Sequence, residues 1–155
     1  MSSAPRRGKG WTVKRIKDLR SRAIGTLGIA RDASIVDAVR ELVKHDVSAL
    51  VVYDGERLGG IFTKNDLVRC CAQHPDGIGG LQVADYMKRD LYTAQVDSNL
   101  DEVIERMVEG GFRHIPVLDG DRVVGMVTPI DILVHQKGAL EGEREELVRY
   151  IQGLY

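Results

Sequence analysis

Apolar residues recur along this chain in blocks whose spacing switches from helical to strand-like and back, twice over. After Ser34, they stand at Ile35, Val36, Ala38, Val39, Leu42 and Val43, a spacing that keeps one side of a helix apolar. Ser34 or Asp32 is a suitable cap. Val47 to Tyr53 is a short β-rich run, Asp54-Gly55 is a turn signal, and Arg57 to Phe62 is a second run, so a hairpin is predicted. Lys64 to Ala72 returns to helical spacing. The succession then repeats: a helix over about residues 100–109, strands near His114–Leu118 and Arg122–Val127 around Asp119-Gly120, and a helix from about Pro129 to Gln136. Pro129 suits a first helical turn, where its missing N–H costs nothing.

The two successions are one sequence duplicated. Displaced by 65 positions, Val52–Asp66 lies over Val117–Asp131 with seven identities: Val, Asp, Gly, Arg, Gly, Thr and Asp. No gap is needed from Ser34/Asn99 onward. Upstream, Ile16–Leu19 resembles Val83–Met87, two residues out of that register, so each copy is expected to open with a short helical turn. A strand should follow, near Thr26–Ala30 in one copy and Leu91–Gln95 in the other. The chain therefore divides into a basic segment (residues 1–12), a first repeat (13–73), a Gly- and Pro-rich linker (74–82), a second repeat (83–137) and a C-terminal helix (138–155). That last helix carries an apolar stripe of Leu147, Val148, Ile151 and Leu154, which calls for a partner surface. One unit of about sixty residues is marginal alone. The expected fold is thus α/β (α+β), two β-α-β-β-α units packed on each other with pseudo-two-fold symmetry.

Candidate chemistry sits where strand meets helix in both copies, at Gly60-x-x-Thr63-x-x-Asp66 and Gly125-x-x-Thr128-x-x-Asp131. A helix N-terminus offers unpaired N–H groups and a positive dipole end to phosphate. A threonine hydroxyl there can donate to a phosphate oxygen, and an aspartate three residues on can accept from vicinal ribose hydroxyls, as carboxylates do in dinucleotide-binding folds. The same residues would also serve purely as a helix cap and a dipole partner. Duplication of the pair shifts the balance toward a ligand. The copies differ at one strand start, where the second has Arg113-His114 and the first Ser48-Ala49. Arg113 can grip phosphate in bidentate fashion, and His114 adds a titratable donor. The alternative is that Arg113 lies on the surface and His114 packs at a strand edge.

These features resemble a tandem pair of CBS domains, a Bateman module, of the kind found as stand-alone bacterial proteins. The resemblance covers about Val13 to Gln136. It rests on Ser34-Ile35-Val36-Asp37-Ala38, on Arg113-His114-Ile115-Pro116-Val117 and on the two Gly-x-x-Thr-x-x-Asp turns. It implies a cleft for up to two adenosine-type ligands, with AMP, ADP, ATP, NAD and S-adenosylmethionine as candidates. By the same resemblance Asp66 and Asp131 would hold ribose, Thr63 and Thr128 would contact phosphate, and Arg113 and His114 would take the ligand's anionic end. A homodimer in the form of a two-fold disk is implied too, and a separate effector protein is a further possible partner.

Composition excludes more than it adds. A net charge of −1 and 5% aromatic residues argue against a protein built to coat or stack on nucleic acid. The first 22 residues are nonetheless basic, so a nucleic-acid regulator using that segment is one alternative. A ligand-free dimerisation module is another. No apolar run approaches the ~20 residues that span a bilayer. Cys70 and Cys71 are adjacent, lack the spacing of zinc ligands and suit a reducing cytoplasm. No base, metal cluster or nucleophile accompanies the Thr, Asp and Arg positions, so no catalytic activity, catalytic cofactor or metal is expected.

Overall fold

A computed structural model describes residues 15–19 and 27–135; the basic segment and the C-terminal helix expected over 138–155 lie outside them. Each copy builds one three-stranded sheet with two helices. The first has β1 (Gly28–Ala30), α1 (Ile35–His45), β2 (Ala49–Asp54), β3 (Arg57–Thr63) and α2 (Lys64–Gln73). The second has β4 (Ala94–Gln95), α3 (Leu100–Gly110), β5 (Ile115–Asp119), β6 (Arg122–Val127) and α4 (Pro129–His135). In both sheets the middle strand pairs parallel with the first strand and antiparallel with the third. The register shift falls between Val52 and Tyr53 in one hairpin and between Val117 and Leu118 in the other, so the 65-residue repeat extends to a local irregularity of the backbone.

Local sequence accounts for the element ends. Ser34 caps α1 by accepting from the Asp37 N–H at 3.0 Å, and Asn99 caps α3 by accepting from the Asp101 N–H at 2.8 Å. The two helices end at equivalent residues in the left-handed region, Asp46 at φ 50° and Gly111 at φ 67°. Of the apolar positions read from the periodicity of α1, Ile35, Ala38 and Leu42 are buried, Val36 and Val39 are partly buried, and Val43 is exposed. Ile35, Ala38 and Leu42 of α1 pack with Leu50, Val52 and Phe62, and Leu100, Val103 and Met107 of α3 pack with Ile115, Val117 and Val127.

The opening turns do not serve the copies they precede. Ile16–Asp18 forms a short 3₁₀ turn, and Ile16 and Leu19 are buried in the second copy's core. Val83–Asp85 forms the matching turn, and Val83 and Met87 are buried in the first copy's core. Backbone hydrogen bonds fix the exchange: the Lys17 N–H donates to Val96 O at 2.9 Å, and the Val83 N–H donates to Ala33 O at 2.9 Å. The bridges Arg15↔Asn99 and Ser34↔Gln82 join them at equivalent places. Each core is completed by the other copy's approach segment, which ties the two marginal units into one folding unit. The linker is anchored as well, by a hydrogen bond between the His74 ring and the Tyr86 hydroxyl and by edge-to-face contact of the two rings at 5.7 Å.

Candidate functional site

The strand-to-helix turns close in the same way in both copies. Thr63 caps α2, and Asp66 Oδ2 accepts from both the Thr63 N–H and the Thr63 hydroxyl at 2.8 Å; the Asp66 N–H returns a bond to Thr63 Oγ1 at 3.3 Å. In the second copy, Asp131 Oδ2 accepts from the Thr128 N–H and hydroxyl, again at 2.8 Å. One oxygen of each carboxylate is thus spent on the turn. The sequence-derived capping role is real, and it leaves Oδ1 as the atom through which either aspartate could meet a ligand.

The surroundings of the two Oδ1 atoms differ. Asp66 Oδ1 is hydrogen-bonded by Arg69, one turn along α2, and lies 4.0 Å from Lys88 Nζ. The Asp66 side chain has 0% exposure. Asp131 is partly exposed, and the residue three positions on is Val134, which has no polar group to offer. Lys88 reaches Asp66 because residues 87–88 run along β3: the Ile61 N–H donates to Lys88 O at 3.0 Å and the Lys88 N–H to Ile61 O at 2.8 Å. Gly60 permits that approach, since a Cβ there would stand 2.4 Å from Lys88 O.

Between the turns the copies meet. Ser48 Oγ and His114 Nε2 are 3.1 Å apart, joining the residue before β2 to the residue before β5. The His114 pKa is lowered from 6.5 to about 4, first by burial and then by the positive charges of Lys88 and Arg113, against which the carboxylates of Asp66 and Asp131 act. The imidazole is therefore neutral at pH 7. The ligand-free protein holds His114 uncharged until acidic pH. Geometry places the groups: the Lys64 N–H, next to Thr63, donates to Ser48 O at 3.0 Å, and Ile115, next to His114, pairs with Val127, next to Thr128, so the Ser48–His114 contact joins the two turns. Asp66, Asp131, Arg113 and His114, far apart in sequence, converge where the two copies touch, with Thr63 and Thr128 holding the carboxylates.

Sequence reasoning missed Lys88, Arg69 and Ser48 as members of this cluster. Arg69 could have been found, since i,i+3 charge pairs share a helix face. Lys88 could not, because its place depends on the exchange of the opening turns. Cys70 is buried and Cys71 exposed, and burial pushes the Cys70 thiol up, which suits an inert core residue. Among the described residues no group of His, Cys, Asp and Glu could hold a metal ion, and no helix is long and apolar enough to cross a membrane.

Comparison with known proteins agrees with this fold. The family model described as "CBS domain" matches twice, over residues 26–73 and 83–138. Among solved structures, the CBS-domain containing protein ATU1752 from Agrobacterium tumefaciens is 30% identical, with a TM-score of 0.72 over 79% of this chain and 93% of its own. The CBS domain pair of protein MJ0100, solved in complex with 5′-methylthioadenosine and S-adenosyl-L-methionine, is 30% identical, with a TM-score of 0.70 over 81% of this chain and 98% of its own. The CBS domain-containing protein CBSX3, mitochondrial, of Arabidopsis thaliana is 31% identical over 80% of this chain. The chain spans 63% of that relative's length, and 13% of the length of an A-adding tRNA nucleotidyltransferase from Geobacter sulfurreducens with which it shares 33% identity.

Proposed function

The chain belongs to the CBS-domain family as a tandem pair, and on that premise we propose that it is a regulatory module binding an adenosine-type nucleotide between its two repeats. The observation that carries this reading is the convergence of two Thr-held carboxylates with Arg113, Lys88 and His114 at the contact of the copies. A carboxylate oxygen suits vicinal ribose hydroxyls, and the cations suit phosphate. Asp66 and Asp131 are assigned to ribose, Thr63 and Thr128 to the phosphate side of the turns, and Arg113 and His114 to the anionic end. The MJ0100 pair, with two adenosyl ligands, supports the adenosyl half of the ligand. The cations here favour AMP, ADP, ATP or NAD over the sulfonium of S-adenosylmethionine. An anion beside His114 would favour its protonated form, so binding should take up a proton.

The role is regulatory and not catalytic. Ligand binding would favour one arrangement of the copies over another, and the difference in affinity would set the size of the signal. A homodimer and a separate effector are the partners assigned. Val43 and Val108, at equivalent places on α1 and α3 and 75% and 71% exposed, are compatible with association through these helices. Two cysteines without a disulfide suit the cytoplasm. Titration calorimetry of the full chain with AMP, ATP, NAD and S-adenosylmethionine tests the reading. Binding of at least one, weakened by Asp66→Ala and by Asp131→Ala at different sites, is expected. Absence of heat and of any thermal shift with all four would remove it.

A further inference from the structure

The two carboxylates assigned to ribose are not equally available. A carboxylate offers about four acceptor directions. At Asp66 two are filled by Thr63 on Oδ2, a third by Arg69 on Oδ1, and Lys88 lies 4.0 Å from the same atom. The Asp66 side chain is wholly shielded from water, whereas Arg69 and Lys88 are 61% and 45% exposed. The lid on Asp66 is therefore made of two flexible side chains whose ends are already partly in solvent. Asp131 shares the Thr-held Oδ2 but keeps partial exposure, with Val134 at the position of Arg69.

We infer that the Arg69–Asp66 ion pair closes the first site in the ligand-free protein, so that the second site fills first and the first fills only when Arg69 releases Asp66. This rests on the nucleotide-binding reading above and adds an order to it. A hydroxyl approaching Asp66 Oδ1 must displace a charge-assisted hydrogen bond, whereas one approaching Asp131 Oδ1 meets no arginine three residues along the helix. Displacement is feasible because the Arg69 guanidinium, being mostly exposed, can return to water at little desolvation cost. Lys88 can turn toward ligand phosphate in the same movement, since its backbone is pinned to Ile61 and only its stem has to move. The first site then responds to higher ligand concentrations than the second, which widens the range over which the pair reports.

The test is AMP titration of the full chain and its variants by calorimetry. The wild type should show two steps separated by about tenfold or more in Kd, a gap of at least ~1.4 kcal/mol. Arg69→Val, which gives the first copy the second copy's residue, should tighten the weaker step about tenfold and leave the stronger step in place. Arg69→Met, which keeps an unbranched stem without the charge, should do the same and guards against a packing defect peculiar to valine. In an Asp131→Ala background, where only the first site remains, either Arg69 variant should strengthen the residual binding. Unchanged or weakened binding in both Arg69 variants would overturn the inference, weakening being the mark of an arginine that grips the ligand itself. If Asp66→Ala and Asp131→Ala still lower affinity, that failure leaves the nucleotide reading standing. If neither alters AMP binding, the assignment of ribose to these aspartates falls and takes the inference with it; only the absence of AMP binding itself counts against the nucleotide reading.

Discussion

The turn at Thr63 and the turn at Thr128 share a pair of hydrogen bonds, both 2.8 Å long in each copy. Around that common frame nearly every polar neighbour differs. The first copy has Ser48, Lys64 and Arg69 where the second has Arg113, Pro129 and Val134. Capping needs only the threonine and the aspartate, and those are the residues the copies share. The differing residues bear on what can approach the carboxylates, so what the turn needs for capping is separable from what surrounds its carboxylate.

The most direct way to break the comparison is to remove each aspartate and measure stability. Asp66→Ala deletes a fully buried carboxylate with two bonds from Thr63 and one from Arg69. At about 0.5–1.5 kcal/mol for each net hydrogen bond, with the bond from the mostly exposed Arg69 at the low end, the expected cost is about 1.5–4 kcal/mol. Asp131→Ala removes a partly exposed group with two such bonds, for about 1–2 kcal/mol. Denaturant unfolding of both variants checks the order. Equal losses would mean that the burial of Asp66 adds nothing to its structural role.

His114 sharpens the comparison from the second copy's side, because its counterpart Ala49 cannot titrate. The folded pKa of about 4 lies below the ordinary 6.5, so the unfolded chain takes up the proton more readily. The His114 contribution to stability is then complete above about pH 6.5 and is lost as pH falls toward 4, with a total of order 2–3 kcal/mol. His114→Gln keeps a polar group for Ser48 and has no such titration. Melting curves at pH 7 and pH 4.5 should show the wild type losing more stability than the variant. Parallel losses would place the acid sensitivity elsewhere.

Much of this was legible before the fold was known. The helices, both hairpins and the Thr–Asp turns follow from periodicity and from dipeptides such as Asp54-Gly55, whose glycine takes a φ of 63°. Strand β2 was expected from Val47 but starts at Ala49, because the Val47 N–H donates to Leu42 O and so still belongs to the end of α1. The exchange of the opening turns was not legible. An apolar turn carries no mark of which of two similar cores it will enter, and Ile16 crosses to the second core while Val83 crosses to the first. Everything that depends on the exchange was hidden with it, including Lys88 beside Asp66. Convergence of Asp66, Asp131 and His114 was expected from family resemblance and is physically intelligible only once the two sheets meet.

The smallest effect concerns Pro129 and explains why the strand holding His114 was expected one residue too long. In the first copy the Lys64 N–H donates to Ser48 O at 3.0 Å, and this bond brackets the pair Ala49↔Thr63 at the end of the ladder. The equivalent donor in the second copy would be residue 129, and proline has none. The pair His114/Thr128 is accordingly missing from the ladder, whose last pair at that end is Ile115↔Val127. Pro129→Ala would restore the donor. A new hydrogen bond contributes about 0.5–1.5 kcal/mol, and loss of the proline's restriction of the unfolded chain costs about 0.4–1 kcal/mol, so the net change should stay within about 1 kcal/mol. Hydrogen exchange reads what stability cannot: the new amide at 129 should exchange about as slowly as that of Lys64. The reverse change, Lys64→Pro, should cost about 1 kcal/mol or more by stripping the Ser48 carbonyl of its donor. A fast amide at 129 would mean that the backbone at Arg113 and His114 is held off the ladder by its own contacts, with the proline following a geometry it does not impose.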